Sequence, residues 1–236
     1  MSHLSILKAV VFDLDGTLID SAPDVTHAVN LMLAEQGRSP LPMEKVRPMI
    51  GDGVRVLIEK VLAATGLPVG DETMLANCAT RYRYFYAHHP VAHTVVYDGV
   101  REGLAALRTE GYRLGLCTNK PYDITRLVLD ALGMMPYFMS VVGGESTPFR
   151  KPDPRPLLAV MEQMGVERTA CAYVGDSEVD VVTARNAMVP LVLVTYGYAR
   201  VPVVDLEAAA KVESFRDLPA VLRGLPMPAG PDVRNA

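Results

Sequence analysis

The chain has 236 residues and carries 23 Lys and Arg against 27 Asp and Glu, a formal net charge of −4. No basic cluster accompanies that balance, which argues against nucleic acid or an anionic membrane surface as partner, and no apolar run approaches the ~20 residues that span a bilayer. Half of the residues are hydrophobic, too many for a disordered chain and enough for one large domain or two unequal ones.

In chain order, the first element is the apolar run Ala9–Phe12. It leads straight into Asp13 without a small-residue cleavage site, so it reads as a strand rather than a signal peptide. From about Asp20 to about His89 the periodicity is helical throughout, with no convincing strand. Ser21-Ala22-Pro23-Asp24 predicts a capping box that opens a helix running through Met32 and Leu33 to Gly37. A second helix covers Val54 to Ala64. A third runs from Asp71, with Leu75, Ala79, Tyr82 and Phe85 or Tyr86 facing inward. The chain returns through a linker that begins at His88-His89-Pro90, where the proline breaks any helix aligning His89 with His93 as metal ligands.

Beyond the linker, strands are predicted over Leu114–Cys117, Val141–Val142, Ala172–Val174 and Leu191–Val194. Helices are predicted over Val100–Glu110, Tyr122–Leu132 and Pro154–Met164, each stopped by a glycine. Near-continuous apolar strands alternating with helices predict an α/β core, a doubly wound, Rossmann-like parallel sheet covered on both faces. The expected division is a catalytic core over 1–18 and 94–225, a small all-helical cap over 19–93, and a mobile tail over 226–236. Cys78, Cys117 and Cys171 show no paired-ligand spacing. They read as small buried hydrophobes in a reducing compartment, so a cytoplasmic location is expected.

Polar segments follow directly on these strands. In an open parallel sheet the carboxyl ends of the strands line the crevice where ligands bind, so segments far apart in sequence converge there. After Ala9–Phe12 comes Asp13-Leu14-Asp15-Gly16-Thr17. Strand alternation puts Asp13 and Asp15 on one side, and Gly16 lets the backbone turn away. Two carboxylates so close repel unless a cation lies between them or one takes a proton. They suit a division of labour in which Asp13 attacks phosphorus while Asp15 protonates the leaving oxygen and then activates water. A pair of aspartates capping the next turn is the plainer alternative.

After Leu114–Cys117 comes Thr118-Asn119-Lys120, whose hydroxyl, amide and backbone N–H groups can hold phosphoryl oxygens, although Thr-Asn is common in turns. Lys151-Pro152-Asp153-Pro154 sets Lys151 before a proline-started helix. There it can neutralise Asp13 and a phosphoryl group, or lie solvated beside a turn. After Ala172–Val174 comes Gly175-Asp176-Ser177-Glu178-Val179-Asp180. Asp176 can offer an oxygen to a metal beside Asp13. Asp180, one helical turn further on, can support the metal or Lys151, and Glu178 faces the surface. Oxygen ligands without His or Cys point to Mg²⁺ rather than zinc.

In this order and spacing, DLDGT, TNK, KPDP and GDSEVD resemble the signature motifs of the haloacid dehalogenase-like hydrolase superfamily, and the helical insertion resembles its small helical cap. The likeness runs from Lys8 to about Leu222. It implies that Asp13 is nucleophile and metal ligand, and that Asp15 is general acid and base with its backbone carbonyl on the metal. Thr118 and Lys151 would bind phosphoryl oxygens, beside the Asn119 amide read from its place in the segment; Asp176 would complete a Mg²⁺ site, and Asp180 would be an auxiliary carboxylate. Gly16–Asp24, Thr118–Pro121, Val142–Glu145 and Thr195–Tyr198 resemble the bacterial phosphoglycolate phosphatases in particular, and Ile50–Gly53 resembles their specificity region.

The expected activity is therefore Mg²⁺-dependent hydrolysis of a small phosphorylated metabolite, 2-phosphoglycolate first. A sugar-phosphate phosphatase or mutase is the alternative, because what the cap admits decides among substrates. Gly51 and Gly53 suggest a close-packed loop pointing toward the core, or are simple helix breakers; Asp52 belongs to the same specificity segment, and Arg55 either meets a substrate carboxylate or stays a solvated helix residue. The cap is expected to close over the site and exclude water, hinging near Gly16–Asp20 and Pro90–Tyr97. Asp15 argues against a dehalogenase. Lys45 and Lys60 lie in no motif of an imine-forming phosphonate hydrolase, and a receiver-type switch has no need of a cap. A monomer or homodimer is expected.

Overall fold

Phe12 lies beside Leu116 on one side and Val174 on the other, so strands separated by about a hundred residues end level with one another. The computed structural model describes residues 7–66 and 71–227; most of the predicted tail falls outside them. The chain opens with β1 (Ala9–Phe12) and the short β2 (Ile19–Asp20). Next come α1 (Ala22–Glu35), α2 (Met43–Val46), α3 (Val54–Ala64) and α4 (Glu72–His88). After β3 (Val95–Val96), helices and strands alternate: α5 (Val100–Thr109), β4 (Arg113–Pro121), α6 (Tyr122–Ala131), β5 (Ser140–Gly144), α7 (Arg155–Met164), β6 (Cys171–Gly175), α8 (Glu178–Ala187) and β7 (Leu191–Val194). The chain closes with β8 (Ala210–Val212) and α9 (Leu218–Arg223).

The main sheet has six parallel strands in the order β5-β4-β1-β6-β7-β8, which is the doubly wound α/β core expected from the sequence. Both faces are covered. Val10 and Phe12 pack into one hydrophobic cluster with Leu104, Val128, Phe215 and Leu222, on the side of α5, α6 and α9. Ala9 and Val11 point the other way, toward Leu157 and Val160 of α7 and Ala184 of α8. Such two-sided burial is why the strands read as unbroken apolar runs rather than alternating ones. Strand β8 escapes the sequence reading because its exposed Lys211 and short length leave no such run.

Helices α1 to α4 lie between β2 and β3, with α4 packed on α1 and α3. The two connections to this insertion pair with each other as an antiparallel ribbon, Ile19 opposite Val96 and Asp20 opposite Val95; two residues per strand are too few for a sequence pattern. Buried Asp24 fastens the return connection, accepting hydrogen bonds from the backbone N–H of His93 and Thr94 and from the Thr94 hydroxyl.

The expected capping box at Ser21 is not formed. Ser21 makes no side-chain cap because its hydroxyl donates to Asp15 Oδ1 at 2.5 Å instead. The backbone N–H groups of Ser21 and Ala22 donate to the Tyr198 hydroxyl at 2.8 and 3.0 Å, so a residue of the main domain caps the first helix of the insertion. Among the described residues, no helix is long and apolar enough to cross a membrane.

Candidate active site

Asp13 follows β1 without a break, its N–H still donating to Val174 O at 2.9 Å. Its side chain keeps the parity of Val11 and turns to the α7–α8 side of the sheet edge. There Asp13 Oδ1 sits 2.8 Å from Lys151 Nζ, at an angle that leaves the oxygen without a directed hydrogen bond. Lys151 is 3 % exposed and is held from behind: its ammonium donates to Asp180 Oδ1 at 2.8 Å and to the Tyr173 hydroxyl at 2.9 Å. Tyr173 donates in turn to Asp180 Oδ1 at 2.7 Å. Asp180 Oδ2 accepts from the backbone N–H groups of Asp176 and Ser177 and from the Ser177 hydroxyl. This is the capping box of α8, so the helix start and the lysine anchor are one structure.

Asp176 leaves the end of β6 beside Asp13. Thr17 donates to its Oδ1 at 2.8 Å and the Tyr198 N–H to its Oδ2 at 2.6 Å. Backbone crowds it on both sides. A Cβ on Gly197 would lie 2.3 Å from Asp176 Cβ and 2.5 Å from Gly16 O, and Gly16 itself has φ +86° with Asp176 Oδ2 at 2.3 Å from any Cβ. Gly197→Ala is therefore expected to move Asp176, costing about 1–3 kcal/mol of stability and at least tenfold in turnover. Thermal unfolding and phosphate release would check it, and an unchanged variant would refute the close fit.

The electrostatics follow from burial. Burial pushes Asp13 up from the ordinary 3.8 to about 6, against the pull of the Lys151 charge. Asp176 rises well above its ordinary range, from burial first and then from the Asp180 and Asp13 charges. Burial acts upward on Asp180 too, but the Lys151 charge and its hydrogen bonds hold that carboxyl below the usual value. For Lys151, burial favours the neutral amine, yet Asp13 and Asp180 outweigh it and keep the ammonium.

Carboxylate oxygens of Asp13, Asp176 and Asp180 lie within 4.8 Å of one another. Three buried carboxylates face one buried ammonium, Asp13 Oδ1 lacks a directed donor, and the donors are all hard oxygens. That set fits a divalent cation of the Mg²⁺ type. Each Asp180 oxygen accepts two or three hydrogen bonds, whereas each Asp176 oxygen accepts one and Asp13 Oδ1 none, so Asp13 and Asp176 are the carboxylates with lone pairs left for a metal.

Across from this cluster a pocket opens between the sheet edge and the insertion, lined by Asp13, Asp15, Thr118, Lys120, Gly51 and Tyr82, with the apolar Val25, Ile50, Val54 and Leu57 above. The empty space between these walls is about 420 Å³, its open mouth included. Thr118 is buried on its wall. The Asn119 amide is fully engaged, donating to Gly51 O at 3.0 Å and Lys151 O at 2.9 Å and accepting from Lys151 N at 2.9 Å. It braces Lys151 against the insertion, and its side chain has no donor left for a phosphoryl oxygen.

Two expected specificity residues lie elsewhere. Arg55 is half exposed and paired with Glu59 and Glu72, because it falls on the outer face of α3. Asp52 turns from the pocket to Lys60 and Arg200, each at 2.5 Å. Gly51 and Gly53 do line the pocket. Glu178, expected at the surface, is half-buried and accepts from the Arg200 N–H at 2.8 Å. The residues that sequence reasoning left without a role are Thr17, Lys120, Tyr173, Gly197 and Tyr198. The TNK and TYGY segments signalled Lys120, Gly197 and Tyr198, but nothing in them specified a contact.

The sequence profile of haloacid dehalogenase-like hydrolases matches residues 10–194. A phosphoglycolate phosphatase of Rhodospirillum rubrum is 44 % identical over 226 residues, covering 94 % of this chain and 93 % of its own. One from Cereibacter sphaeroides is 43 % identical, covering 93 % and 99 %. The crystal structure of a predicted phosphoglycolate phosphatase from Haemophilus somnus 129PT superposes with a TM-score of 0.86 at 28 % identity, over 91 % of this chain and 97 % of that one. The chain therefore belongs to the haloacid dehalogenase-like hydrolase family, on its phosphatase branch.

Proposed function

We propose that the chain is a Mg²⁺-dependent phosphomonoesterase that hydrolyses 2-phosphoglycolate through an aspartyl-phosphate at Asp13. The observation that carries this reading is the convergence of Asp13, Asp176 and the anchored Lys151 at one sheet edge, facing Asp15 across a small pocket. Asp13 attacks phosphorus, the bond to the leaving oxygen breaks, and Asp15 gives that oxygen its proton. Water then attacks the same phosphorus, Asp15 takes its proton, and the Asp13–phosphorus bond breaks to release phosphate. Lys151, fixed by Asp180 and Tyr173, neutralises charge on Asp13 and the phosphoryl oxygens, while Thr118 holds another oxygen. Mg²⁺ would rest on Asp13, Asp176 and the Asp15 backbone carbonyl, and when bound supplies further neutralisation of the phosphoryl charge.

The insertion over 19–93 acts in this reading as a cap. Ion pairs cross from it to the main domain, Arg83 to Glu145 and Asp123, and Asp52 to Arg200. The confined pocket beneath favours a compact leaving group over a hexose. Phosphate release should therefore be measured with Mg²⁺ across 2-phosphoglycolate, hexose phosphates and nucleotides. The first is expected to lead in kcat/KM by more than tenfold, with EDTA stopping turnover and Mg²⁺ restoring it. A leading hexose phosphate would overturn the substrate; turnover by thoroughly metal-stripped enzyme would overturn the metal.

A further inference from the structure

Lys120 has no part in the chemistry above, yet it is 7 % exposed and lies on the pocket wall. Its ammonium spans both oxygens of Asp15, at 3.0 Å from Oδ1 and 3.2 Å from Oδ2. It also donates to the Tyr86 hydroxyl at 2.6 Å and sits 4.3 Å from the centre of that ring. Tyr86 is 1 % exposed and belongs to α4 of the insertion, whereas Lys120 belongs to β4 and Asp15 follows β1. Three elements thus meet at one ammonium, and the group they fix is a carboxyl on the pocket wall.

We propose that Lys120 is a positioning residue for proton transfer: held by Tyr86, it orients the Asp15 carboxyl toward the leaving oxygen and ties that orientation to the seating of the insertion. This rests on the reading of Asp15 as general acid. A buried ion pair is poor support for stability in itself, because desolvation offsets most of the attraction. Its value here is geometric and electrostatic. A carboxyl gripped by the Ser21 hydroxyl on one oxygen and an ammonium across both has little freedom to rotate. When Asp15 passes its proton to the leaving oxygen, the carboxylate left behind already faces a cation, so the charge that develops in that step is met without reorganisation. In the second half-reaction the same cation holds the carboxylate in line to accept a proton from water. Tyr86 supplies the coupling: if the insertion swings away, its hydroxyl and ring leave Lys120, and the lysine is free to abandon Asp15.

The test uses leaving-group chemistry. An alkoxide needs a proton to depart and 4-nitrophenolate hardly does, so loss of general-acid positioning should hurt the alkyl ester selectively. Compared with wild type, Lys120→Met is expected to lower kcat/KM for 2-phosphoglycolate about 10²-fold, with the loss on 4-nitrophenyl phosphate at least tenfold smaller. Tyr86→Phe should show the same pattern more weakly, and Lys120→Arg should recover part of the loss. Should the Met variant fail to fold, the Arg and Phe variants carry the comparison by themselves. Equal losses on both esters would mean a merely structural role and overturn the proposal. So would a raised KM for 2-phosphoglycolate with kcat unchanged, which would make Lys120 a carboxylate receptor instead. An unaltered Tyr86→Phe enzyme would overturn the link to the insertion. Asp15→Asn serves as the control for the underlying reading. If that variant also lacks leaving-group selectivity, the general-acid assignment itself fails; if it has the selectivity and Lys120→Met does not, only the present inference fails.

Discussion

Replacing Asp13 with Asn is expected to lower kcat by about 10⁴-fold or more while leaving the fold intact and, without metal, slightly more stable. The amide keeps the shape of the side chain but offers phosphorus no carboxylate, and no neighbour can replace it. Asp176 is gripped by Thr17 and Tyr198, Asp180 by Lys151 and Ser177, and Asp15 by Lys120. The stability effect follows from the raised Asp13 value. A carboxyl pushed from 3.8 to about 6 by burial contributes stability that is complete below 3.8 and lost as the pH rises through 6. The gap corresponds to about 3 kcal/mol at most. Asparagine has no charge to bury, so in EDTA the variant should match wild type near pH 4 and melt higher at pH 7. Lys151 keeps Asp180 and Tyr173 as partners in the variant, so its own burial stays satisfied. Phosphate release and paired thermal melts check both claims. A variant that turns over at the wild-type rate would remove Asp13 from the chemistry, and a lower melting temperature at pH 7 would mean the ion pair outweighs the buried charge.

What the sequence disclosed, and what it did not, divides along physical lines. Strand β1 was legible because burial on both faces forces an unbroken apolar run, and the first polar residue after it had to be at the sheet edge. The same logic located the end of β6, but β4 runs past the expected Cys117, through Thr118, Asn119 and Lys120, to Pro121, with a register shift against β5 after Cys117; a parallel sheet then brings these segments together without further information. Connections closed by tertiary contacts were not legible. The β2–β3 ribbon has two residues in each strand, and Ser21 looks like a helix cap until Asp15 claims its hydroxyl. Tyr173 and Tyr198 resemble ordinary core aromatics, and only the fold shows that one hydroxyl supports Lys151 while the other caps α1. Of the two readings of Arg55 the structure takes the solvated one, for a related reason. Helical spacing gives the relative faces of α3 but not which face meets the core, and Leu57, Ile58 and Val61 decide that by burial, leaving Arg55 to Glu59 and Glu72. In the sequence the Asn119 amide is an uncommitted donor beside Thr118; in the structure it lies within β4 and the Lys151 backbone and Gly51 consume it.

Lys151→Met is expected to be the most damaging single change outside the nucleophile, lowering turnover by about 10²–10³-fold and stability by about 3–5 kcal/mol at neutral pH. Methionine fills nearly the same volume, so little of the loss comes from packing. It comes from removing the one cation that sits between Asp13 and Asp180, both inside the protein. Lys151 keeps its proton in folded and unfolded chains alike over the relevant range, since its folded value lies above the ordinary 10.5, so the pH dependence belongs to the carboxyls. In wild type Asp180 is held below 3.8 and stabilises the fold above that pH, whereas Asp13 at about 6 works in the opposite sense. Without the ammonium, both carboxyls lose a downward pull and both resist ionisation. The deficit should therefore be small near pH 4, where each can stay protonated, and should grow as the pH rises toward 8. A bound divalent cation competes for the same vacancy of positive charge, so Mg²⁺ should raise the melting temperature of the variant more than that of wild type at pH 7.5. Melts at pH 4.5 and 7.5, with and without Mg²⁺, read all of this in one experiment. A deficit equal at both pH values would show that Lys151 acts by packing rather than by charge, and would leave Asp180 and Tyr173 without the anchoring role assigned to them.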